Sequence, residues 1–186
     1  MRTRLLLLCI CVGSYLYSAA QPNNPCSGAI LITTLDGTCV TGNDNTGATE
    51  DIGPSSCTVG TNENVWFTFV ANGVSAEIEV NNGPGTPEIT VMNFPTTPCD
   101  AADAQEIECV AGTTLVIDNE LVIGNTYYVM VAFSNNADGL FDICIDNPTP
   151  ASNDNCFTAT PLLNLDNACF NSSNEFPSTD VLIPGC

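Results

Sequence analysis

An all-β, antiparallel β-sandwich is the fold this chain predicts, and three observations predict it. Short apolar runs recur between turn-forming clusters of Gly, Asn, Asp and Pro, enough for eight or nine strands. Two of the runs are apolar on both faces, as central strands of a covered sheet are. Helical periodicity is absent, and only Asp100 to Gln105 resembles a helical turn.

The chain is organised around Asn64-Val65-Trp66-Phe67-Thr68-Phe69-Val70. Val65, Phe67 and Phe69 share one face, and Trp66, Thr68 and Val70 the other. Branched and aromatic residues suit a pleated surface, so this run reads as a central strand. Before it, Ala29 to Leu35 reads as a strand and Asp36-Gly37 as its turn, and Cys39 to Cys57 as turns and short edge strands. After it, Val74 to Val80 alternates, with Val74, Ala76, Ile78 and Val80 inward and Glu77 and Glu79 outward. Strands follow at Glu88 to Phe94, Gln105 to Val110, Thr113 to Ile117 and Glu120 to Ile123, the loop Pro95 to Asp103 intervening. Thr126 to Phe133 is the second run apolar on both faces. Leu140 to Ile145 closes the set, with Phe141, Ile143 and Ile145 inward.

Residues 1–20 read as a secretory signal peptide, with Arg2 and Arg4, an apolar run from Leu5 to Leu16, and Ser18-Ala19-Ala20 at the cleavage site. The mature chain then begins at Gln21. Its loss removes both basic residues, so the formal charge of −19 becomes −21, with no lysine, arginine or histidine left. Repulsion excludes nucleic acid and anionic membrane surfaces as partners, and no later apolar run reaches membrane length. Of eleven cysteines, Cys9 and Cys11 leave with the leader. The remaining nine sit in an exported chain without histidine or a CxxC pair, which favours disulfides over zinc. Cys99 and Cys109 flank a small loop and are expected to pair. Cys144 faces away from Phe141 and Ile143 and is expected to tie the last strand to the N-terminal arm. Cys26, Cys39 and Cys57 compete for it. All six thiols of the first module are expected to be oxidised.

Residues 21–146 read as one module and 147–152 (Asn-Pro-Thr-Pro-Ala-Ser) as a Pro-rich linker. A shift of 130 residues then places Asn153, Cys156, Ala159, Leu165, Asp166 and Cys169 on Asn23, Cys26, Ala29, Leu35, Asp36 and Cys39. One deletion puts Cys186 on Cys57. Residues 153–186 read as the truncated start of a second copy, within a longer protein.

Asn24-Pro25-Cys26, Val65 to Phe69, the Cys99…Cys109 loop, Gly124 to Val129 and Gly139 to Cys144 resemble repeated domains of large bacterial secreted and surface proteins. These are similar to the bacterial pre-peptidase C-terminal domain, a jelly-roll-like β-sandwich attached to secreted hydrolases and adhesins. The resemblance covers residues 22–146 fully and 153–186 in part. It implies a jelly-roll-like fold and a secreted or outer-surface location. In many relatives an acidic run follows the second loop cysteine; here Val110-Ala111 stands there, which argues against a metal at that loop.

A serine or cysteine triad needs a base that the mature chain does not contain. Asp44-Asn45-Thr46-Gly47 is one residue too long for the Asp-Thr-Gly element of an aspartic protease, and it is unpaired. A glycosidase needs only two carboxylates, and Glu77 and Glu79 stand about 7 Å apart on one strand face. Neither lies in an apolar setting suited to acid work.

No cofactor is required. Calcium is the one ion that the oxygen ligands suit, and Asp44, Glu50, Asp51 and Asp138, with Asn43, Asn45, Asn135 and Asn136, are its candidates. Such residues more commonly form turns, and no EF-hand spacing occurs. Trp66 is a candidate platform for a pyranose ring, although its apolar neighbours make it a core residue first. Together these expectations describe a non-catalytic extracellular interaction module for polysaccharide or protein. The alternative is the ancillary N-terminal part of a secreted hydrolase.

Overall fold

A computed structural model describes residues 21–52, 55–57 and 63–150; the expected signal peptide and truncated second copy lie outside these residues. The strands are β1 (Ile30–Leu31), β2 (Asp36–Asp44), β3 (Asn64–Val70), β4 (Ala76–Asn81), β5 (Pro87–Asn93), β6 (Gln105–Ala111), β7 (Thr114–Ile117), β8 (Thr126–Phe133) and β9 (Leu140–Asp146). They form a five-stranded sheet in the order β1-β3-β8-β5-β6 and a four-stranded sheet in the order β2-β9-β4-β7. Helical structure among the described residues is confined to single 3-10 turns at Cys26–Gly28 and Ser134–Asn136. The described residues therefore form an all-β, disulfide-bonded sandwich.

Alternation along each strand builds the core between the sheets. On β3, Val65, Phe67 and Phe69 face inward, paired in register with Val131, Val129 and Tyr127 of β8. On β4, Ala76, Ile78 and Val80 are buried and the glutamates between them face out. Phe141 of β9 crosses the gap, its ring edge-on to Phe67 at 6.0 Å and close to Phe133 at 5.3 Å. Each such side chain contributes roughly 1.5–3 kcal/mol on burial, so this layer dominates the stability.

The five-stranded sheet is covered on its outer face too. Trp66, Met92, Met130 and Phe94 form a second apolar cluster with Cys26, beneath the N-terminal arm and the 95–104 loop. Asn23 anchors the arm, accepting from Trp66 N at 2.8 Å and donating to Trp66 O at 3.2 Å. β3 is thus covered on both faces along most of its length.

The structure differs from the sequence-based expectation in four places. The run from Ala29 to Leu35 yields only the two residues of β1, paired parallel to β3, because the chain then crosses to the other sheet. Asp36-Gly37 does not turn the chain; Gly37, at φ +78°, forms an irregularity inside β2 where the register with β9 shifts. Glu120 to Ile123 is a loop held by Val74 O and Tyr127 Oη, with Leu121 buried and Val122 and Ile123 exposed.

The fourth difference is at the linker, whose first residue belongs to the sandwich. Asn147 is fully buried, and its amide accepts from Asn72 N at 2.6 Å and donates to Ser75 O at 2.6 Å.

Candidate functional site

Three disulfides staple the loops that surround the outer face of the five-stranded sheet and the edge of the other. They join Cys26 to Cys99, Cys39 to Cys144 and Cys57 to Cys109. The expected Cys99–Cys109 bridge does not form. Cys109 lies within β6 opposite Thr90, while Cys99 belongs to the loop packed over Trp66 and meets Cys26 there. The partner of Cys144 is Cys39, directly opposite it on the neighbouring strand.

An open groove of about 490 Å³ lies at one end of the outer face. Asn93 and Phe94 form one wall where β5 ends, and Pro95, Thr96 and Pro98 continue it. Thr126 and Tyr128 of β8 form the other wall, with the Gly124-Asn125 turn at its end. Neighbouring strands bring the walls together, since Met92 lies opposite Tyr128 in register. The half-buried ring of Tyr128 packs edge-to-face with Phe94 at 5.1 Å.

Both walls are held in place. Asp103 accepts from Thr96 N and Thr97 N, each at 2.7 Å, and from Thr96 Oγ1 at 2.9 Å. The backbone N–H groups of Thr97 and Thr96 hold its carboxyl below the usual carboxylate value. The Cys26–Cys99 bridge ties the same loop to the arm. Opposite, Ala71 N donates to Asn125 O at 2.9 Å and Gly124 N to Ala71 O at 2.8 Å, and Gly124 adopts a φ of +87° that suits glycine.

Trp66 is not a platform. It is fully buried, and its indole N–H is used by Asn64. Glu77 and Glu79 do share a surface: with Asp146, Gly37 and Cys144 they line a shallow cavity of about 160 Å³ on the outer face of the four-stranded sheet.

The calcium candidates are not gathered into one site. Asp44 caps its own turn by accepting from Thr46 N at 2.8 Å, and Asp51 accepts from Cys26 N at 2.5 Å. Glu50 lies exposed on the arm. Asn43 donates to Val40 O at 2.8 Å, and Asn45, fully buried, bonds Ala137 O and Gly139 N. Asn135 and Asn136 are turn residues with positive φ. Asp138 instead meets Glu63, a partner 75 positions away that spacing does not reveal. Partial loss of solvent, then the hydrogen bond and charge of Asp138, push the Glu63 carboxyl up. Among the described residues no group of three or more carboxylate, thiol or imidazole side chains is arranged to hold a metal ion.

Among the described residues no helix is long and apolar enough to cross a membrane, and three disulfides fit an oxidising, extracellular location. Comparison with known proteins finds neither a family description nor a curated protein that matches this chain.

Proposed function

We propose that the chain is a non-catalytic extracellular interaction module, of adhesive or substrate-targeting type, belonging to a larger secreted or surface protein. The observation that carries this function is the chemistry of the groove beside Tyr128. No carboxylate, amine, imidazole or thiol lines it, so its polar groups are amides and hydroxyls with no base beside them to activate a hydroxyl for catalysis. The jelly-roll-like topology, the resemblance to pre-peptidase C-terminal domains and the second copy belong to the same proposal. Tandem copies raise weak single-site binding through effective concentration.

A second function, glycoside hydrolysis, has one observation in its favour: Glu77, Glu79 and Asp146 meet around one cavity. The cavity is small, and Cys144 of the cross-strand disulfide lines it beside the carboxylates.

Retention of the full chain on immobilised extracellular polysaccharides and matrix proteins, measured beside turnover of chromogenic glycosides, separates the two. Retention without turnover is expected. Turnover abolished by Glu77→Gln overturns the binding-module proposal.

A further inference from the structure

We infer that the groove between Asn93–Pro98 and Gly124–Tyr128 takes an uncharged oligosaccharide, a segment of a neutral glycan chain. This deepens the interaction-module proposal and rests on it. Three features of the groove converge on that ligand class.

The first is its chemistry. Tyr128 provides a partly exposed aromatic ring, a surface against which the C–H face of a pyranose packs well. Around it stand the amides of Asn93 and Asn125 and the hydroxyl of Thr126, and no hydrogen bond within the described fold engages these three side chains. Amides and hydroxyls donate and accept at once, which matches the paired hydroxyls of a sugar ring. The hydroxyl of Thr96, by contrast, is already spent on Asp103 Oδ1, while Oδ2 of the same carboxylate holds the loop backbone.

The second is charge. All 21 acidic residues of the sequence lie beyond residue 20, where there is no cationic side chain, yet none lines this groove. An anionic polymer such as a polyuronate meets the repulsion of the whole surface and finds no cation to receive it. A basic ligand finds its partners elsewhere on the molecule, at the carboxylates. Only an uncharged ligand gains from a groove lined this way.

The third is shape. A volume of about 490 Å³ falls within the roughly 300–1,000 Å³ usual for small-ligand clefts, and the groove is open, as binding within a longer chain requires. Its walls are pre-formed by the Asp103 clamp, the Cys26–Cys99 bridge and the Ala71–Asn125 hydrogen bond, so little ordering is needed when a ligand binds. Val70, exposed and opposite Thr126 on β3, extends the apolar floor beyond the cavity itself.

The test uses the full chain, produced in an oxidising compartment. Affinity electrophoresis is run against three neutral polysaccharides (a β-glucan, an α-mannan and starch), a polyuronate, a sulfated galactan and a Pro-rich peptide. Binding to at least one neutral glycan is expected, unchanged between about 0.05 and 0.5 M salt. Tyr128→Ala is expected to weaken it at least tenfold, and Asn125→Ala and Thr126→Val about three- to tenfold each. The latter two substitutions lie at the surface and keep the inference falsifiable if Tyr128→Ala fails to fold. Glycan binding indifferent to Asn125→Ala and Thr126→Val overturns the groove assignment. Binding of the polyuronate, the galactan or the peptide, lost in those variants, overturns the ligand class while the module function stands. No retention on any of these probes, or on matrix proteins, overturns both.

Discussion

Trp66 donates its indole N–H to the side-chain oxygen of Asn64, 3.0 Å away and two residues back on the same face of β3. That bond lets a large, polar-tipped ring be fully buried on the outer face of a sheet, beneath chain with little regular structure. Its emission should therefore be blue-shifted and poorly quenched by acrylamide. Trp66→Ala should cost about 3–5 kcal/mol of stability. Ready quenching in the folded protein would contradict the buried placement.

The disulfide pattern makes a second prediction. Non-reducing peptide mapping should recover Cys26–Cys99, Cys39–Cys144 and Cys57–Cys109. Replacing both Cys26 and Cys99 by serine releases a closure spanning 73 residues, worth about 4 kcal/mol in the chain-entropy picture. It also loosens one wall of the groove. A Cys99–Cys109 peptide would contradict the arrangement.

Asn147 bonds Asn72 N, Gly73 and Ser75 O from a fully buried position. Asn147→Ala leaves those backbone groups without partners, so it should cost about 2–4 kcal/mol in a urea melt. An unchanged midpoint would place the residue in the linker.

The Glu63–Asp138 pair makes a pH prediction. The folded-state value of Glu63 is raised above its ordinary 4.5, so its contribution to stability is present below that value and is lost as pH rises through the folded-state value. Above it, two like charges face each other. Glu63→Gln should therefore stabilise the chain at pH 7, by a few tenths of a kcal/mol given its exposure, and the gain should vanish on acidification. Asp103 runs the other way. Its folded-state value is lowered from 3.8, so its contribution is present above that value and is lost as pH falls through the lower, folded-state value. Thermal melts of wild type and both Glu63→Gln and Asp103→Asn variants across pH 3 to 7 check both signs.

Strand identity was legible because alternation is a local signal: β3, β4, β5, β6, β8 and β9 lie close to where the apolar runs place them. What the pattern could not carry was which faces meet which loops. Trp66 and Phe67 look alike in sequence, yet one faces the sandwich core and the other the arm, since both sheet faces are covered. The Cys99…Cys109 spacing suggested a closed loop, but the register of β5 with β6 holds Cys109 in the sheet. The groove was missed for a related reason. Its walls come from segments about thirty residues apart, joined only because β5 and β8 are neighbours, and residues such as Asn125 and Thr126 look like ordinary turn chemistry.

The most direct measurement is hydrogen–deuterium exchange of the full chain, with and without the neutral polysaccharide that retains it most strongly. Protection confined to residues 93–98 and 124–128 is the expected result. Protection at residues 77–79 and 142–146, with the groove unchanged, would place the contact on the acidic sheet face and contradict the account.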